Sequence, residues 1–439
     1  MKETNSRGEK PMNKTVDAEK TLLVDGPASV IVTSGSVEVF GLLANVKNKI
    51  VIREGKRLPF VVKEKATFKI SMGEGANAEE VDGNTIPHSW AMALEELLKI
   101  ETRPVVAMVL GPIDSGKTSF CTYLTNKLLS GNNKIAVLDG DLGQSDIGPP
   151  CTVAYAFVTK PIADLFSLEA KNAFFVGVTS PSNAQGKVIE GLVLLKKEIL
   201  ERGSDFVIVN TDGWVEGEDA ISYKVQLVEK LNPEIIFVIQ QNGELTPLLN
   251  ALKGLKPVLV ESPSAIKQRS REKRKNLREL GYIKYLKDAK VQSIPWNWLK
   301  IEGNELFSSY KTYEDIKRAG EIYRLLGMKP LFFSEQKDKI FIVIGRNRWI
   351  NKDNIEKVEK HIKKKVILVR KGEEEGLLMA LYNSDKKFLG IGVLQEADYR
   401  KKFLKILTPV SGEIATVILG KVKLDKNFKE IPAFAEEEI

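Results

Sequence analysis

A glycine-rich loop between an apolar strand and a helix is the feature that most constrains how this chain can fold. Residues 105–110 are a continuous apolar run, and residues 117–129 have the pattern of a helix. The loop between them fits G-x-x-x-x-G-K-[ST], in which backbone N–H groups surround phosphates, the lysine reaches the terminal phosphates and the hydroxyl group binds Mg²⁺. We therefore expect a nucleoside triphosphate to bind to Gly111, Pro112, Ile113, Asp114, Ser115, Gly116, Lys117, Thr118 and Ser119, with Mg²⁺ held by Thr118.

Strands and helices alternate on the C-terminal side of this loop. Apolar strands are predicted at residues 135–138, 173–178, 206–209, 235–239 and 258–260, with helices at 186–201 and 219–231. Buried strands that alternate with helices form parallel sheets covered on both faces. The predicted fold class is α/β, with a central P-loop domain built around a mostly parallel sheet.

The regions on either side of the P-loop domain are rich in short strands. Between residues 21 and 75, β-type runs are separated by Gly and Pro, and residues 377–382 and 388–393 predict a hairpin near the C-terminus. We predict a β-rich N-terminal domain (1–98), a P-loop domain with a basic lid (99–288) and a small, β-rich C-terminal α+β domain (289–439).

The 439 residues contain only two cysteines, Cys121 and Cys151, and two histidines, His88 and His361. This scarcity excludes zinc fingers and a disulfide framework, and it disfavours acid–base catalysis by histidine. The sequence begins without the apolar stretch of a secretory signal, and no run approaches the roughly 18 apolar residues of a membrane span. We expect a cytoplasmic protein, or a nuclear one if the cell has a nucleus.

Two carboxylates follow the strand after the phosphate loop. Asp139 and Asp141 are two residues apart, so an extended backbone directs them to the same side. Carboxylates at this place can face a metal ion or a nucleophile across the phosphate site. The alternative is a solvated turn, but the phosphate loop about 20 residues earlier favours a functional pair.

The strongest local charge lies at residues 267–290, which contain ten Lys or Arg and three acidic residues. A solvated helix face is one explanation. The others are arginines that close over a triphosphate and lysines that attract a nucleic-acid backbone. Arg274 and Arg278 share a helix face, whereas Arg269 lies about 140° away in an ideal helix. Either Arg269 precedes the helix or Arg271 takes its place.

Five ordered motifs resemble those of the P-loop polynucleotide 5′-hydroxyl kinases, which include the kinase subunit of the eukaryotic pre-mRNA cleavage factor, the rRNA-processing kinase and archaeal relatives. The motifs are the phosphate loop, Asp139-Gly-Asp141-Leu-Gly143-Gln144, Gly177-Val-Thr179-Ser180-Pro181-Ser-Asn183, Asn210-Thr211-Asp212-Gly213-Trp214 and the lid arginines. The resemblance covers most of the chain. It implies transfer of the γ-phosphate of ATP or GTP to the 5′-hydroxyl end of RNA, with single-stranded DNA as a further candidate acceptor.

The resemblance also implies roles for individual residues. Asp141 would accept the proton of the attacking hydroxyl, and Asp139 would contact the metal or its water. Trp214 would stack on a nucleotide base. The implied catalytic residues are Lys117, Asp141, Arg269, Arg274 and Arg278, the acceptor-binding residues are Gln144, Thr179, Ser180, Asn183 and Trp214, and the metal ligands are Thr118 and Asp139.

Other interpretations of the same residues stay open. Without the resemblance, Trp214 is more simply a core or interface residue, and the polar residues at 179–183 cap the following helix. Two rival functions are an ATP-holding scaffold of an RNA-processing complex and a P-loop enzyme that acts on a small molecule or a protein. The intact loop and lid disfavour the first rival, and the basic lid with Trp214 disfavours the second.

Overall fold

The computed structural model describes residues 11–252, 254–303, 307 and 313–432. The chain divides into two compact units, Met1–Arg278 and Glu279–Ile439. None of the helices in the described ranges has the length and apolarity needed to span a bilayer.

The first unit begins with a seven-stranded antiparallel sheet. Its strands are β1 (Met12–Val16), β2 (Lys20–Asp25), β3 (Ala28–Val39), β4 (Leu42–Leu43), β5 (Lys49–Ile52), β6 (Arg57–Met72) and β7 (Asn77–Asp82). Their order is β4-β3-β6-β2-β7, with β1 paired to β6 and β5 paired to β3. The β-rich character predicted for this region is confirmed, but β7 lies beyond the β-type runs predicted between residues 21 and 75.

Gly35 explains why β3 continues where the sequence indicates a break. Its φ is +87°, and a Cβ there would lie 2.3 Å from the carbonyl oxygen of Lys65. The pairing of β3 with β6 shifts register around Ser34 and Ser36. A glycine that is typical of a turn therefore forms a bulge within one long strand.

A second seven-stranded sheet forms the P-loop part of the first unit. Its strands are β8 (Val105–Leu110), β9 (Ile135–Asp139), β10 (Thr152–Val158), β11 (Asn172–Phe175), β12 (Phe206–Asn210), β13 (Ile235–Gln240) and β14 (Val258–Glu261), in the order β11-β10-β9-β12-β8-β13-β14. The sheet is mixed: the five strands from β9 to β14 in this order are parallel, whereas β10 is antiparallel to both of its neighbours. The sequence patterns do not predict β10, which begins two residues after a Gly-Pro-Pro turn.

Helices cover both faces of this sheet. They are α1 (His88–Leu98), α2 (Lys117–Leu129), α3 (Gln185–Glu201), α4 (Glu218–Leu231) and α5 (Thr246–Ala251), and a further helix, α6 (Arg271–Tyr285), follows the last strand of the sheet. Val106 and Met108 of β8 belong to a core with residues of α3, α4 and α5. Phe120 of α2 lies 5.2 Å, between ring centroids, from both Phe237 of β13 and Trp90 of α1. Because β8, β9 and β12 are parallel, the loops that follow them meet at one edge of the sheet.

The second unit contains a large and a small sheet. The large sheet comprises β15 (Lys290–Pro295), β16 (Lys300–Glu302), β20 (Leu377–Tyr382), β21 (Phe388–Asp398), β22 (Phe403–Thr408), β23 (Thr416–Leu424) and β24 (Glu430–Ile431), and the small sheet comprises β17 (Phe332–Glu335), β18 (Lys339–Ile344) and β19 (Lys365–Arg370). The predicted hairpin is confirmed by the antiparallel pairing of β20 with β21. One face of the small sheet packs on α7 (Tyr313–Leu326) and α8 (Lys352–Ile362), and the other packs on residues of the large sheet.

Candidate active site

The phosphate loop connects β8 to α2 at the edge where the parallel strands end. Helix α2 begins at Lys117, and its N-cap residue, Gly116, has a φ of +99°. This backbone conformation favours glycine, and the space is also tight, since a Cβ at Gly116 would lie 3.0 Å from Cδ of Pro263. The loop brings backbone N–H groups and the start of a helix to one place, which favours an anion.

Lys117 lies in the wall of a cavity of about 280 Å³. Its side chain is buried, and its Nζ donates a hydrogen bond to the carbonyl oxygen of Pro112 at 2.7 Å. Burial lowers the pKa of Lys117 to about 8, although the nearby Asp141 carboxylate acts in the opposite direction. The ammonium group is therefore held by its own loop in this structure.

Asp141 lies in the same cavity wall, in the loop that follows β9. Its Oδ1 accepts hydrogen bonds from the backbone N–H groups of Gly143 (3.1 Å) and Gln144 (2.9 Å). Burial raises the pKa of Asp141, and the neighbouring Asp212 carboxylate raises it further. A carboxylate with a raised pKa at a cavity has the properties of a general base.

Asp139 is placed differently from what its predicted contact with a metal requires. It is fully buried and is not among the residues that line the cavity. Its Oδ2 accepts hydrogen bonds from the N–H groups of Asp146 (2.7 Å) and Ile147 (3.2 Å), and its Oδ1 accepts one from the Asn210 amide (3.0 Å). Burial raises the pKa of Asp139 to about 7. These contacts fix the loop that carries Asp141.

Asp114, in the middle of the phosphate loop, holds the basic lid. Its Oδ2 accepts a hydrogen bond from the N–H of Arg269 at 2.9 Å, and ion pairs join its carboxylate to the guanidinium groups of Arg269 (3.3 Å) and Arg274 (3.4 Å). Arg269 precedes α6, which begins at Arg271, so the geometry agrees with the first of the two predicted alternatives. Arg278 also lines the cavity, whereas Arg271 does not.

Most of the remaining predicted residues surround the same cavity. Those in its wall are Ile113, Ser115, Gly116, Thr118, Ser119, Gln144, Thr179, Ser180 and Trp214, whereas Gly111, Pro112 and Asn183 lie outside it. The side-chain amide of Gln144 donates a hydrogen bond to the carbonyl oxygen of Arg274 at 3.0 Å. This contact joins the loop that carries Asp141 to the lid.

Several archaeal proteins are similar to this chain over most of its length. The polyribonucleotide 5′-hydroxyl kinase of Methanocaldococcus jannaschii is 30% identical over 340 residues, which cover 76% of this chain and 91% of the relative. This chain belongs to the polyribonucleotide 5′-hydroxyl kinase family. A second member of the family, from Pyrococcus abyssi, is 26% identical over 79% of this chain and 95% of its own length. The resemblance seen in the sequence motifs is thus confirmed.

Two further similarities agree with this family membership. Residues 111–288 match the family described as mRNA cleavage and polyadenylation factor CLP1 P-loop. The structure of Clp1p in the wild-type Clp1p–Pcf11p complex has a TM-score of 0.67 and covers 95% of this chain and 99% of that chain. At 13% identity, the second similarity concerns the fold alone.

This family member contains a buried network that the sequence motifs do not reveal. Lys224 has no exposed surface, and its Nζ lies 2.8 Å from Oδ2 of Asp212, a residue of the cavity wall. The Tyr223 hydroxyl donates to the same oxygen at 3.0 Å, and the backbone N–H of Trp214 donates to Oδ1 of Asp212 at 3.0 Å. Tyr223 also stacks on Trp214, with ring centroids 5.8 Å apart. The network fixes Trp214 beside the cavity.

The N-terminal sheet supplies part of the cavity wall, which sequence analysis does not foresee. The apolar residues that it contributes are Leu23, Phe40 and Pro59, and Ile86 follows shortly after the sheet. The turn between β5 and β6 adds Gly55, Lys56 and Arg57. No local pattern marks these residues, because their role depends on the packing of one sheet against the other.

A group of buried charges ties the β5–β6 turn to the P-loop part. Arg53 pairs with Asp146 and, at 2.7 Å, with Asp164, and Lys56 lies 3.2 Å from Asp146. The two cations keep the pKa of Asp164 well below its usual range, despite its burial. The carbonyl oxygen of Gly55, in the same turn, accepts a hydrogen bond from Nε of the lid residue Arg269 at 2.9 Å. The turn therefore contacts both the loop after β9 and the lid.

Proposed function

We propose that this chain transfers the γ-phosphate of ATP or GTP to the 5′-hydroxyl end of RNA, with single-stranded DNA as a further acceptor. The observation that carries the proposal is that one cavity brings together Lys117, Asp141, the lid arginines and Trp214. Phosphoryl transfer requires charge neutralisation and an aligned acceptor more than it requires covalent chemistry by the protein. The curated relatives bear names that describe this activity.

The reaction follows from the positions of the charged groups. The 5′-oxygen of the acceptor attacks the γ-phosphorus, the bond from that phosphorus to the bridging oxygen breaks, and the nucleoside diphosphate leaves. Asp141 accepts the proton of the attacking hydroxyl, and its raised pKa suits this task. Lys117 leaves the Pro112 carbonyl oxygen to contact the phosphates, and the lid arginines stabilise the charge that develops on the transferred group.

A divalent metal ion fits the residues of the cavity. Mg²⁺ is usually held by one or two carboxylates together with substrate phosphates. Thr118 has a hydroxyl group in the wall, and the carboxylates of Asp141 and Asp212 lie in the same wall. The ion would neutralise phosphate charge when it is bound. We assign its contact with the chain to the Thr118 hydroxyl, keep Asp141 as the base, and assign Asp139 to the positioning of the loop that carries Asp141.

The two substrates occupy different parts of the cavity in this proposal. The apolar residues from the N-terminal sheet contact the nucleotide base, which explains why either ATP or GTP can serve. Trp214 stacks on a base of the acceptor, and Gln144, Thr179 and Ser180 bind its terminal sugar or phosphate. Asn183 lies outside the cavity wall, so we assign it no contact with the acceptor.

We also infer that the first unit contains two domains, residues 1–98 and the P-loop domain from 99 onward. Its two seven-stranded sheets are separate, which supports this division. The lid helix α6 continues across the boundary between the compact units, so the proposed end of the P-loop domain at 288 includes the whole helix.

The proposal is tested with labelled ATP, Mg²⁺ and a 5′-hydroxyl oligoribonucleotide. Transfer of label to the RNA supports it, and Asp141→Asn is expected to lower kcat roughly 10²–10⁴-fold because the base is lost. Lys117→Ala is also expected to abolish transfer. Asp385→Asn, in an exposed turn, is the control and should have the wild-type rate. An Asp141→Asn variant with the wild-type rate would show that the base is assigned wrongly.

A scaffold that holds ATP without using it is the second candidate. The hydrogen bond from Lys117 to the Pro112 carbonyl oxygen favours it, because this lysine must be released before transfer. The same assay separates the candidates. Tight ATP binding without labelled RNA indicates the scaffold, whereas release of phosphate without labelled RNA indicates a P-loop ATPase.

A further inference from the structure

The second unit carries an exposed tryptophan among arginines. Trp349 is 79% exposed and lies in the loop between β18 and α8. Burial cannot explain a tryptophan at such a place, and large exposed aromatic side chains are typical of binding surfaces. We define the Trp349 patch as Arg346, Arg348, Trp349 and Arg370.

The patch lies where two parallel strands end. β18 and β19 are parallel, and their last paired residues are Ile344 and Arg370. The loops that follow both strands therefore begin at the same edge of the small sheet. In sheets of this kind, ligands bind beyond the carboxyl ends of the strands.

Contacts within the patch fix its side chains before any ligand binds. The guanidinium group of Arg370 lies over the Trp349 ring, 4.6 Å from the ring centroid. Arg346 forms an ion pair with Glu375 at 2.7 Å and fills the space beside Gly372, whose φ of +101° suits glycine. Pre-positioned side chains lose less conformational entropy when a ligand binds.

The charge of the loop is complementary to an anion. Residues 345–352 contain Arg346, Arg348 and Lys352 and no acidic residue, whereas the segment after β19 contains Glu373, Glu374 and Glu375. Glu375 pairs with Arg346 and Glu373 pairs with Arg370, so Arg348 is the arginine through which the patch attracts an anion. Arg346 and Arg348 are both exposed. Arginines at this spacing around an aromatic ring supply both of the contacts that single-stranded nucleic acids use, which are phosphate neutralisation and base stacking.

We propose that the Trp349 patch is a binding site for single-stranded RNA. A base stacks on the face of Trp349 opposite Arg370, and Arg348 contacts a flanking phosphate. The proposal depends on the proposed function for the identity of the nucleic acid. It adds a second contact with RNA, on the unit that does not contain the phosphate loop.

A circular oligoribonucleotide tests this site separately from phosphorylation, because it has no 5′ end to phosphorylate. Its binding to the full-length protein is measured by fluorescence anisotropy at several salt concentrations. Trp349→Ala is expected to weaken binding roughly 5- to 150-fold, the range for loss of one stacked base, without changing the salt dependence. Trp349→Phe should restore most of the affinity. Arg348→Gln is expected to lower the slope of log Kd against log salt concentration by about 0.7.

Trp298 provides the matched control. It is 71% exposed in the same unit and lies outside the Trp349 patch, in the segment between β15 and β16. Trp298→Ala should therefore bind the circle as the wild type does. Equal losses in Trp298→Ala and Trp349→Ala would refute a specific patch.

Unchanged binding of the circle in Trp349→Ala would also refute the proposal and would identify a protein as the better candidate for this surface. Labelling of a linear 5′-hydroxyl RNA by the wild-type protein, measured in parallel, tests the proposed function separately. A protein that labels the linear RNA but binds the circle independently of Trp349 would keep its kinase function and lose this site.

Discussion

Replacement of Lys224 by methionine is expected to destabilise the first unit strongly. Lys224 has no exposed surface, and Asp212 is 4% exposed. The Lys224 Nζ lies 2.8 Å from Asp212 Oδ2 and 2.9 Å from the Asp212 carbonyl oxygen. Methionine keeps most of the side-chain volume but removes the charge, so the buried carboxylate is left with two hydrogen-bond donors, the Tyr223 hydroxyl and the backbone N–H of Trp214.

Loss of one partner from a buried ion pair typically lowers the free energy of unfolding by about 3–5 kcal/mol. For a unit of this size, that corresponds to a fall in Tm of roughly 6–20 °C. Urea and thermal unfolding, followed by circular dichroism, measure both quantities. Because the network also positions Trp214, we expect KM for RNA to rise more than KM for ATP in this variant.

The double variant Asp212→Asn/Lys224→Met removes both charges and is expected to recover more than half of the lost stability. Lys230→Met, on the exposed side of the same helix, is the control for the substitution itself. A Lys224→Met protein within about 1 kcal/mol of the wild type would refute the reasoning, because the loss expected for a buried pair is about 3–5 kcal/mol.

Three further changes test other parts of the site. Asp114→Ala removes the carboxylate that holds the lid arginines, and a roughly tenfold rise in KM for ATP is expected, since a hydrogen bond to a charged group contributes about 1.5–3 kcal/mol. Because the pKa of Asp139 is about 7 in the folded chain against 3.8 as its ordinary value, the folded state binds the extra proton and stability falls as pH rises from about 4 to 7. Asp139→Asn should remove this slope from urea midpoints. Gly213→Ala places a methyl group 2.7 Å from the backbone of the phosphate loop and should weaken ATP binding measured by calorimetry, whereas Gly186→Ala, with open space around it, should not.

The parts of the site that lie close together in sequence could be predicted. The phosphate loop depends on glycines and a lysine at fixed spacing, so its position between β8 and α2 follows from the motif. The placement of Asp141 follows from the strand before it. Helical geometry leaves two alternatives for the lid, Arg269 before the helix or Arg271 in its place, and the start of α6 at Arg271 agrees with the first.

The parts that depend on distant residues could not be predicted. Asp139 carries the same type of side chain as Asp141, but its hydrogen bonds to Asp146 and Asn210 place it behind the cavity wall. The pairing of Arg53 with Asp164 joins residues more than a hundred positions apart. No periodicity in the sequence indicates such contacts, because only the packed structure brings the residues together.

The short turn between β5 and β6 limits which substitutions and truncations the protein can tolerate. Its Arg53 pairs with Asp146 and Asp164 of the P-loop part. Its Gly55 carbonyl oxygen accepts a hydrogen bond from the lid residue Arg269. A fragment that starts at residue 99 would lack one side of the cavity wall. Asp146 and Asp164 would also lose the cations with which they pair. Substitutions in this turn are therefore constrained by chemistry that takes place elsewhere, and the leading sheet cannot be exchanged as an independent module.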